Sequence, residues 1–511
     1  MLLSKVVLSA QDDKSLYYAG MIDSLRMKTL LYEFASDSYE GRETGEKGQQ
    51  SAANFLKDYY EKCGLQKLIS GGWEQLYPLK RESFQGSTAT TGKDEFKYID
   101  DFYMYGINIK QLDCADVVWV DYGIQTGNYD DYQGKSVKGK TALCMSGEPL
   151  DNSGISRVTR TNELSEWSSD WTLKAIAAER AGAKALIIVN REYDKFIKRA
   201  RYWFEQSPLR LDRSKEEVSD YNIPVVFISP DMCAKWIAGA DKQVHKKKKL
   251  ILEGKSPQKK EITTPLIFHM ERNTSNFNAS NVLAFIPGSD PTMKEEVVVL
   301  SAHYDHVGVI KGEIHNGADD DGSGTVTLME LARVFQKAKE EGNGPARSLL
   351  FLHVSGEEKG LLGSEWYADH PIIPLEKTVC NLNVDMIGRQ DENHKDANYV
   401  YLIGSDKLSS TLHKVSERVN EKYTKLQLDY TYNNPDDPNR FYYRSDHYNF
   451  AKKGIPVIFY FSGVHEDYHK PGDDPEKIMY GKMSRIGKLI FHTAWEAANI
   501  EGGLPVDSNK E

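Results

Sequence analysis

The sequence predicts an α/β fold, a doubly wound and mostly parallel sheet interrupted by a smaller β-rich module. Three observations carry that prediction. From about residue 281 onward, short β-branched apolar runs alternate with stretches of helical period, the pattern of strands joined by crossover helices. The run Val297–Leu300 has no polar interruption, as expected for a strand covered on both faces. Between residues 113 and 265 the texture changes to short apolar runs punctuated by Gly, Asp and Ser, which marks an insertion.

Taken in order, SLRMKTLLYEFA (24–35) repeats its apolar positions every three to four residues and reads as a helix. The turn-rich SDSYEGRETGEKG follows, and SAANFLKDYYEKCGL forms a second helix with Gly64 as its C-cap. WEQLYPLKRES and FKYIDDFYMYG are rich in strand formers. Within the insertion, ADVVWVDYG, GKTALCMSG, AKALIIVN and IPVVFIS read as strands, and WTLKAIAAERAG as a helix. No His lies between Asp113 and Val244, so the module reads as a lid, channel wall or interaction surface and not as a catalytic unit. Beyond it, NVLAFIPG, EVVVLSAHYDH, RSLLFLHVSGEE, TVCNLNVDMIG and IPVIFYFSG are strands. TVTLMELARVFQKAKEE, GSEWYADHP and the closing KIMYGKMSRIGKLIFHTAWEAANI are helices. The predicted divisions are 24–112, 113–265 and 266–511.

At 511 residues the chain exceeds the ~250–300 at which single cores usually stop growing, so two domains are expected. A formal net charge of −10 and the lack of a long basic stripe argue against nucleic acid as partner. The one basic run, Lys246–Lys249, reads as a solvated face. Five scattered cysteines form no disulfide or CxxC framework. No apolar run is long enough to span a membrane. The start, MLLSKVVLSAQ, resembles a shortened secretory signal, from which an extracytoplasmic (secreted or periplasmic) location is expected.

In open α/β sheets chemistry sits beyond the carboxyl ends of the strands. Here each apolar run is followed by imidazole or carboxylate: His303 after the first, then Asp319–Asp321 in a Gly-rich turn, Glu357 and Glu358, Asp385, and finally His465–His469. Mixed imidazole and carboxylate without thiolate suits Zn²⁺ or a similar divalent cation. Five such ligands exceed one tetrahedral site but suit two cations sharing a carboxylate. Glu357 and Glu358 are adjacent, so one is free to ligate while its neighbour meets water as general base.

AHYDH, GADDDGSG, SGEEKGLLGS, NVDMIG and DYHKPGDD resemble, in order, the motifs of the zinc aminopeptidase family that includes bacterial leucyl aminopeptidases, glutamate carboxypeptidase and the transferrin receptor. EGRETGEKG (40–48) resembles a segment preceding the fold in bacterial members, and the middle region looks like the protease-associated (PA) domain inserted in many of them. The resemblance implies two zinc ions and a peptide substrate. Position by position it implies His303 and Asp385 on one ion, Glu358 and His469 on the other, Asp320 bridging both, and Glu357 as general base. It also implies a cis peptide at Asp320–Asp321. Asp305 is placed to orient the His303 imidazole, and Tyr468 to donate to a developing oxyanion.

The expected activity is that of an aminopeptidase. A carboxypeptidase for acidic C-termini (with Arg444 or Arg440 supplying charge), a glutaminyl cyclase, and a non-catalytic receptor on the same scaffold are the rivals. Ser445, Asp446 and His447 are contiguous, which is a poor arrangement for a hydrolytic triad, and read as loop support. His306 and His315 read as polar loop residues, and His353, inside LLFLHVS, as a core histidine.

Overall fold

The computed structural model describes residues 14–104, 109–213, 220–238, 243–257 and 262–508. MLLSKVVLSAQ, on which the expected secretory signal rests, lies outside the described residues. The chain divides into two compact units, residues 1–79 with 277–511, and residues 80–276.

The first unit is built on helices α1 (Ser24–Phe34) and α2 (Lys47–Lys62), then strands β1 (Glu74–Ser83), β2 (Asn273–Ile286) and β3 (Val297–His303). Helix α3 (Gly324–Glu340), β4 (Ser348–Val354), α4 (Leu362–Asp369), β5 (Thr378–Val384), β6 (Tyr399–Ile403), α5 (Ser410–Val419) and β7 (Gln427–Asp429) follow. The unit closes with α6 (His447–Ala451), β8 (Val457–Phe461) and α7 (Tyr480–Asn499). Its strands lie in the order β7–β6–β8–β5–β3–β4–β2–β1. The four central strands, β8, β5, β3 and β4, are parallel, whereas β6 runs antiparallel to β8 and β2 antiparallel to β4. The sheet is therefore mixed, with the expected parallel arrangement confined to its centre and one edge pair, β6 and β7.

Every residue of β3, β4 and β8 is buried. Their side chains divide between two cores by the strand's two-residue period. Val298, Leu300 and Ala302 join α1, α2, α3 and α7 in one core, while Val297 and Val299 pack with Tyr367 of α4 and Phe450 of α6 in the other. A strand covered this way has no solvated face, which explains the continuous apolar runs in the sequence. Helix α1 starts where Asp23 accepts from Leu25 N at 2.8 Å, and α2 ends before Gly64, whose φ of +76° suits glycine.

In the second unit, the strands Val117–Trp119, Thr141–Met145, Ala185–Val189 and Val225–Ile228 are mutually parallel neighbours, with Phe102–Met104 antiparallel at the edge. A separate antiparallel sheet joins Glu95–Lys97, Thr88–Thr90, Leu266–His269 and Gln111–Cys114. That pairing groups residues 80–112 and 266–276 with the middle module, whereas the sequence divisions at 112 and 265 assign them to its neighbours. The chain crosses between units inside the long strands β1 and β2, where composition gives no break. The basic run sits on a helix, Val244–Leu252, with Lys248 paired to Asp231 at 2.6 Å. Among the described residues no helix is long and apolar enough to cross a membrane.

Candidate metal centre and active site

Because β4, β3, β5 and β8 are parallel neighbours, their carboxyl ends share one edge of the sheet. β3 delivers His303 there, the segment after β4 delivers Glu357 and Glu358, the residue after β5 is Asp385, and the loop after β8 carries His465–His469. The turn before α3 brings Asp319, Asp320 and Asp321, all buried, and its Asp320–Asp321 peptide is cis, the isomer expected from the sequence.

The side chains named from sequence meet around Asp320. Its Oδ1 lies 3.2 Å from His303 Nε2, which is also 3.6 Å from Asp385 Oδ1. Its Oδ2 lies 3.1 Å from His469 Nε2, which in turn is 3.1 Å from Glu358 Oε2. One carboxylate thus stands between two imidazole–carboxylate pairs. Two groups have ligand atoms within 4.8 Å of one another: His303, Asp321 and Asp385, and His306, Asp320 and Glu358. Buried atoms among them, Asp320 Oδ2, Asp321 Oδ2, Glu358 Oε1 and both nitrogens of His306, form no hydrogen bond within the protein. Buried polar atoms ordinarily have partners. An all-nitrogen-and-oxygen donor set with its lone pairs left open fits divalent first-row cations.

The surroundings hold this geometry from behind. Asp473 accepts from the amides of Asp319 and Asp320 at 3.0 and 3.1 Å. His303 Nδ1 donates to the Asp305 main-chain carbonyl at 3.1 Å, leaving Nε2 to face the acids. The Asp305 carboxylate, expected to orient that imidazole, is 3.7 Å away from it. It instead accepts from Thr44 Oγ1 at 2.6 Å and from Glu357 N at 3.3 Å, so it ties the N-terminal segment to the Glu357 loop. Thr44 Oγ1 also accepts from Gly356 N at 3.0 Å. Arg42, fully buried, donates to four carbonyls: Tyr304 at 2.9 Å, Asn316 at 2.7 Å, Gly317 at 2.9 Å and Phe34 at 3.2 Å. Inside the sheet a head-to-tail series of donors, Asn381 to Ser301 to Asn383 to Ser445, ends on Asp385 Oδ2 at 2.7 Å.

Residues 281–494 match the profile of peptidase family M28, and residues 112–235 match the PA domain. Residues 281–494 are an M28 peptidase domain. The aminopeptidase YwaD of Bacillus subtilis (strain 168) is 27% identical over 336 residues, 64% of this chain. A probable leucine aminopeptidase of Arthroderma benhamiae is 32% identical over 227 residues, 43% of this chain. The chain spans 60% and 57% of the lengths of these two relatives. The solved aminopeptidase from Aneurinibacillus sp. strain AM-1 shares the fold, with a TM-score of 0.50 at 18% identity over 97% of this chain and 98% of its own.

The M28 domain has a small cleft beside this cluster of acids and imidazoles, walled by Glu357, Asp320, Asp385, Phe459, Phe461 and Tyr468, with Arg444 also at its lining. Burial pushes the Glu357 carboxyl well above its ordinary range, against the pull of His303, and the nearby Glu358 and Asp385 charges add to the rise. Burial first, then Asp320, Glu358 and Glu357, push the Tyr468 phenol up, so it stays protonated at neutral pH. Its ring stacks on His469 at 3.9 Å.

His306, read from sequence as a polar loop residue, is completely buried within the ligand group of the M28 domain, with Nδ1 2.9 Å from Glu358 Oε1. Arg42 was likewise not legible as a buried residue. His315 is buried as well, not solvated. His353 is a core histidine, bonded to the Tyr60 hydroxyl at 2.5 Å. Ser445 supports Asp385, Asp446 accepts from Ser364 at 2.5 Å, and His447 stacks on Phe459 at 4.8 Å, so the three support the walls of the M28 cleft and form no triad.

Proposed function

We propose that the chain is a two-zinc exopeptidase that removes N-terminal residues from peptides. The observation that supports this most is Asp320, set between His303 Nε2 and His469 Nε2 with one carboxylate oxygen facing each. In this reading His303 and Asp385 hold one cation, Glu358 and His469 the other, and Asp320 lies between them. When bound, such cations polarise the scissile carbonyl and acidify a water molecule.

Glu357 takes the proton of the attacking water and returns it to the leaving amine. Its place on the cleft wall beside Asp320 and Asp385 supports this role, since a carboxylate is a suitable base for a metal-acidified water. Tyr468 keeps its proton and donates to the oxygen that gains charge. Asp305, joined to Thr44 and Glu357 N, is a positioning residue that fixes the base against the His303 loop. The aromatic wall of Phe459 and Phe461 receives an apolar end of the peptide.

The test is an assay of the zinc-loaded protein on a leucyl anilide, on an N-acetylated peptide with an acidic C-terminus and on a peptide with N-terminal Gln. Release from the anilide alone is expected. Cleavage of the acetylated peptide favours the carboxypeptidase reading, ring closure of the Gln peptide the cyclase, and metal binding without turnover the receptor.

A further inference from the structure

The ligand set assigned above uses two imidazoles, yet a third reaches the same place. His306 follows the end of β3 and has no exposed surface. Its Nδ1 lies 2.9 Å from Glu358 Oε1 and 3.7 Å from Asp320 Oδ2. Its ring meets that of His469 edge-on, centroids 5.6 Å apart at 76°. We propose that His306 Nδ1 is an additional ligand to the cation held by Asp320, Glu358 and His469, a reading that rests on the two-cation site proposed above.

Two features separate a ligand from a neighbour. At 2.9 Å the Nδ1–Oε1 contact is short enough for a hydrogen bond, but neither atom has a partner in hydrogen-bond geometry. Lone pairs that aim past each other at a shared point produce this combination. Ligands ~2.0–2.2 Å from one zinc in tetrahedral arrangement stand roughly 3.3–3.6 Å apart. The separations of His306 Nδ1, 2.9 Å from Glu358 Oε1 and 3.7 Å from Asp320 Oδ2, bracket that value, and these three side chains form a group whose ligand atoms all lie within 4.8 Å of one another. The ring is also held in place from outside. His306 N donates to Arg42 O at 3.2 Å, and His306 forms a parallel bridge with Glu43. Its Cγ and Cδ2 press against Gly317, at φ +55°, where a Cβ would lie 2.5 Å from both atoms. Any side chain at position 317 would push the imidazole off the acids.

The two subsites then differ in kind. One has a single imidazole, His303; the other has two, His306 and His469. Imidazole suits zinc and cobalt, whereas carboxylate alone suits harder ions. The second subsite therefore fills first as cation is added.

Cobalt(II) tests this without reference to turnover. The full-length protein stripped of metal and titrated with Co²⁺ should bind two ions in two steps of unequal affinity. Proton NMR of the loaded protein should show hyperfine-shifted ring N–H resonances from three histidines. In His306→Asn one of the three should vanish, and the tighter step should weaken by about 100-fold, while the other step holds. Three imidazoles in the wild-type protein support the assignment even if the variant does not fold. Two bound ions with only two imidazoles overturn it and leave the two-cation site standing. Failure to bind two ions removes the two-cation site and this assignment together.

Discussion

Replacing Arg42 with lysine keeps the charge and removes the fork. The guanidinium donates through three nitrogens to carbonyls of Tyr304, Phe34, Asn316 and Gly317, which belong to three separate stretches of chain. An ammonium has its donors on one nitrogen, so it reaches the adjacent Asn316 and Gly317 oxygens and leaves those of Tyr304 and Phe34 bare. A buried acceptor left unsatisfied costs ~1–3 kcal/mol, so two give a loss of about 4 kcal/mol. That is a large part of the ~5–15 kcal/mol typical of a folded protein. Burial lowers the Arg42 pKa to about 10, against the opposing pull of Asp305 and Asp473, so the group stays charged at neutral pH and the loss is one of geometry. Urea unfolding of Arg42→Lys, with metal stripped from both proteins, should show this loss. Since Tyr304 and Gly317 flank the turns that carry the proposed ligands, zinc affinity should fall with it. A variant within about 1 kcal/mol of the wild type would refute the reasoning.

Glu357→Gln should retain fold and metal content but lose about 10²–10⁴-fold in kcat on an aminoacyl anilide, with little change in KM. Thr44→Val removes the link between Asp305 and Gly356 N and should weaken zinc binding about 10–100-fold, read by competition with a chelating dye. His353 is held neutral by burial, its pKa down to about 3. The unfolded chain therefore binds a proton that the folded one does not between about pH 6.5 and 3, and stability falls as pH drops through that window. Between pH 7.5 and 5 this contributes a loss of about 2 kcal/mol, which His353→Gln should abolish in urea titrations at the two pH values.

The parallel centre of the sheet was legible because β3, β4 and β8 are buried on both faces and carry runs of consecutive apolar residues. The gathering of acids and imidazoles followed from it, since parallel neighbours end at one edge. His306 was not legible. Past the end of β3 the two-residue alternation stops, and the direction of its ring depends on Glu43 and Gly317, which no local pattern connects to it. Arg42 was hidden for a similar reason: an arginine in a turn-rich polar run looks solvated until distant carbonyls surround it. The mixed edges of the sheet escaped because strand direction is set by how the connections route, not by composition. Strand β6, YVYLI, is an apolar run that composition does signal, and it is absent from the strands predicted above.

The series of donors from Asn381 through Ser301, Asn383 and Ser445 points every dipole the same way, toward Asp385. Hydrogen bonds in such a series polarise one another, so an amide deep in β5 helps set how much negative charge Asp385 holds comfortably. The charge at Asp385 is thereby set in part from within the sheet, behind the cleft. In the two-cation reading proposed above, drift at Asn381 or Ser301 would surface as a changed preference for one cation over another at the Asp385 subsite, with the fold unaltered.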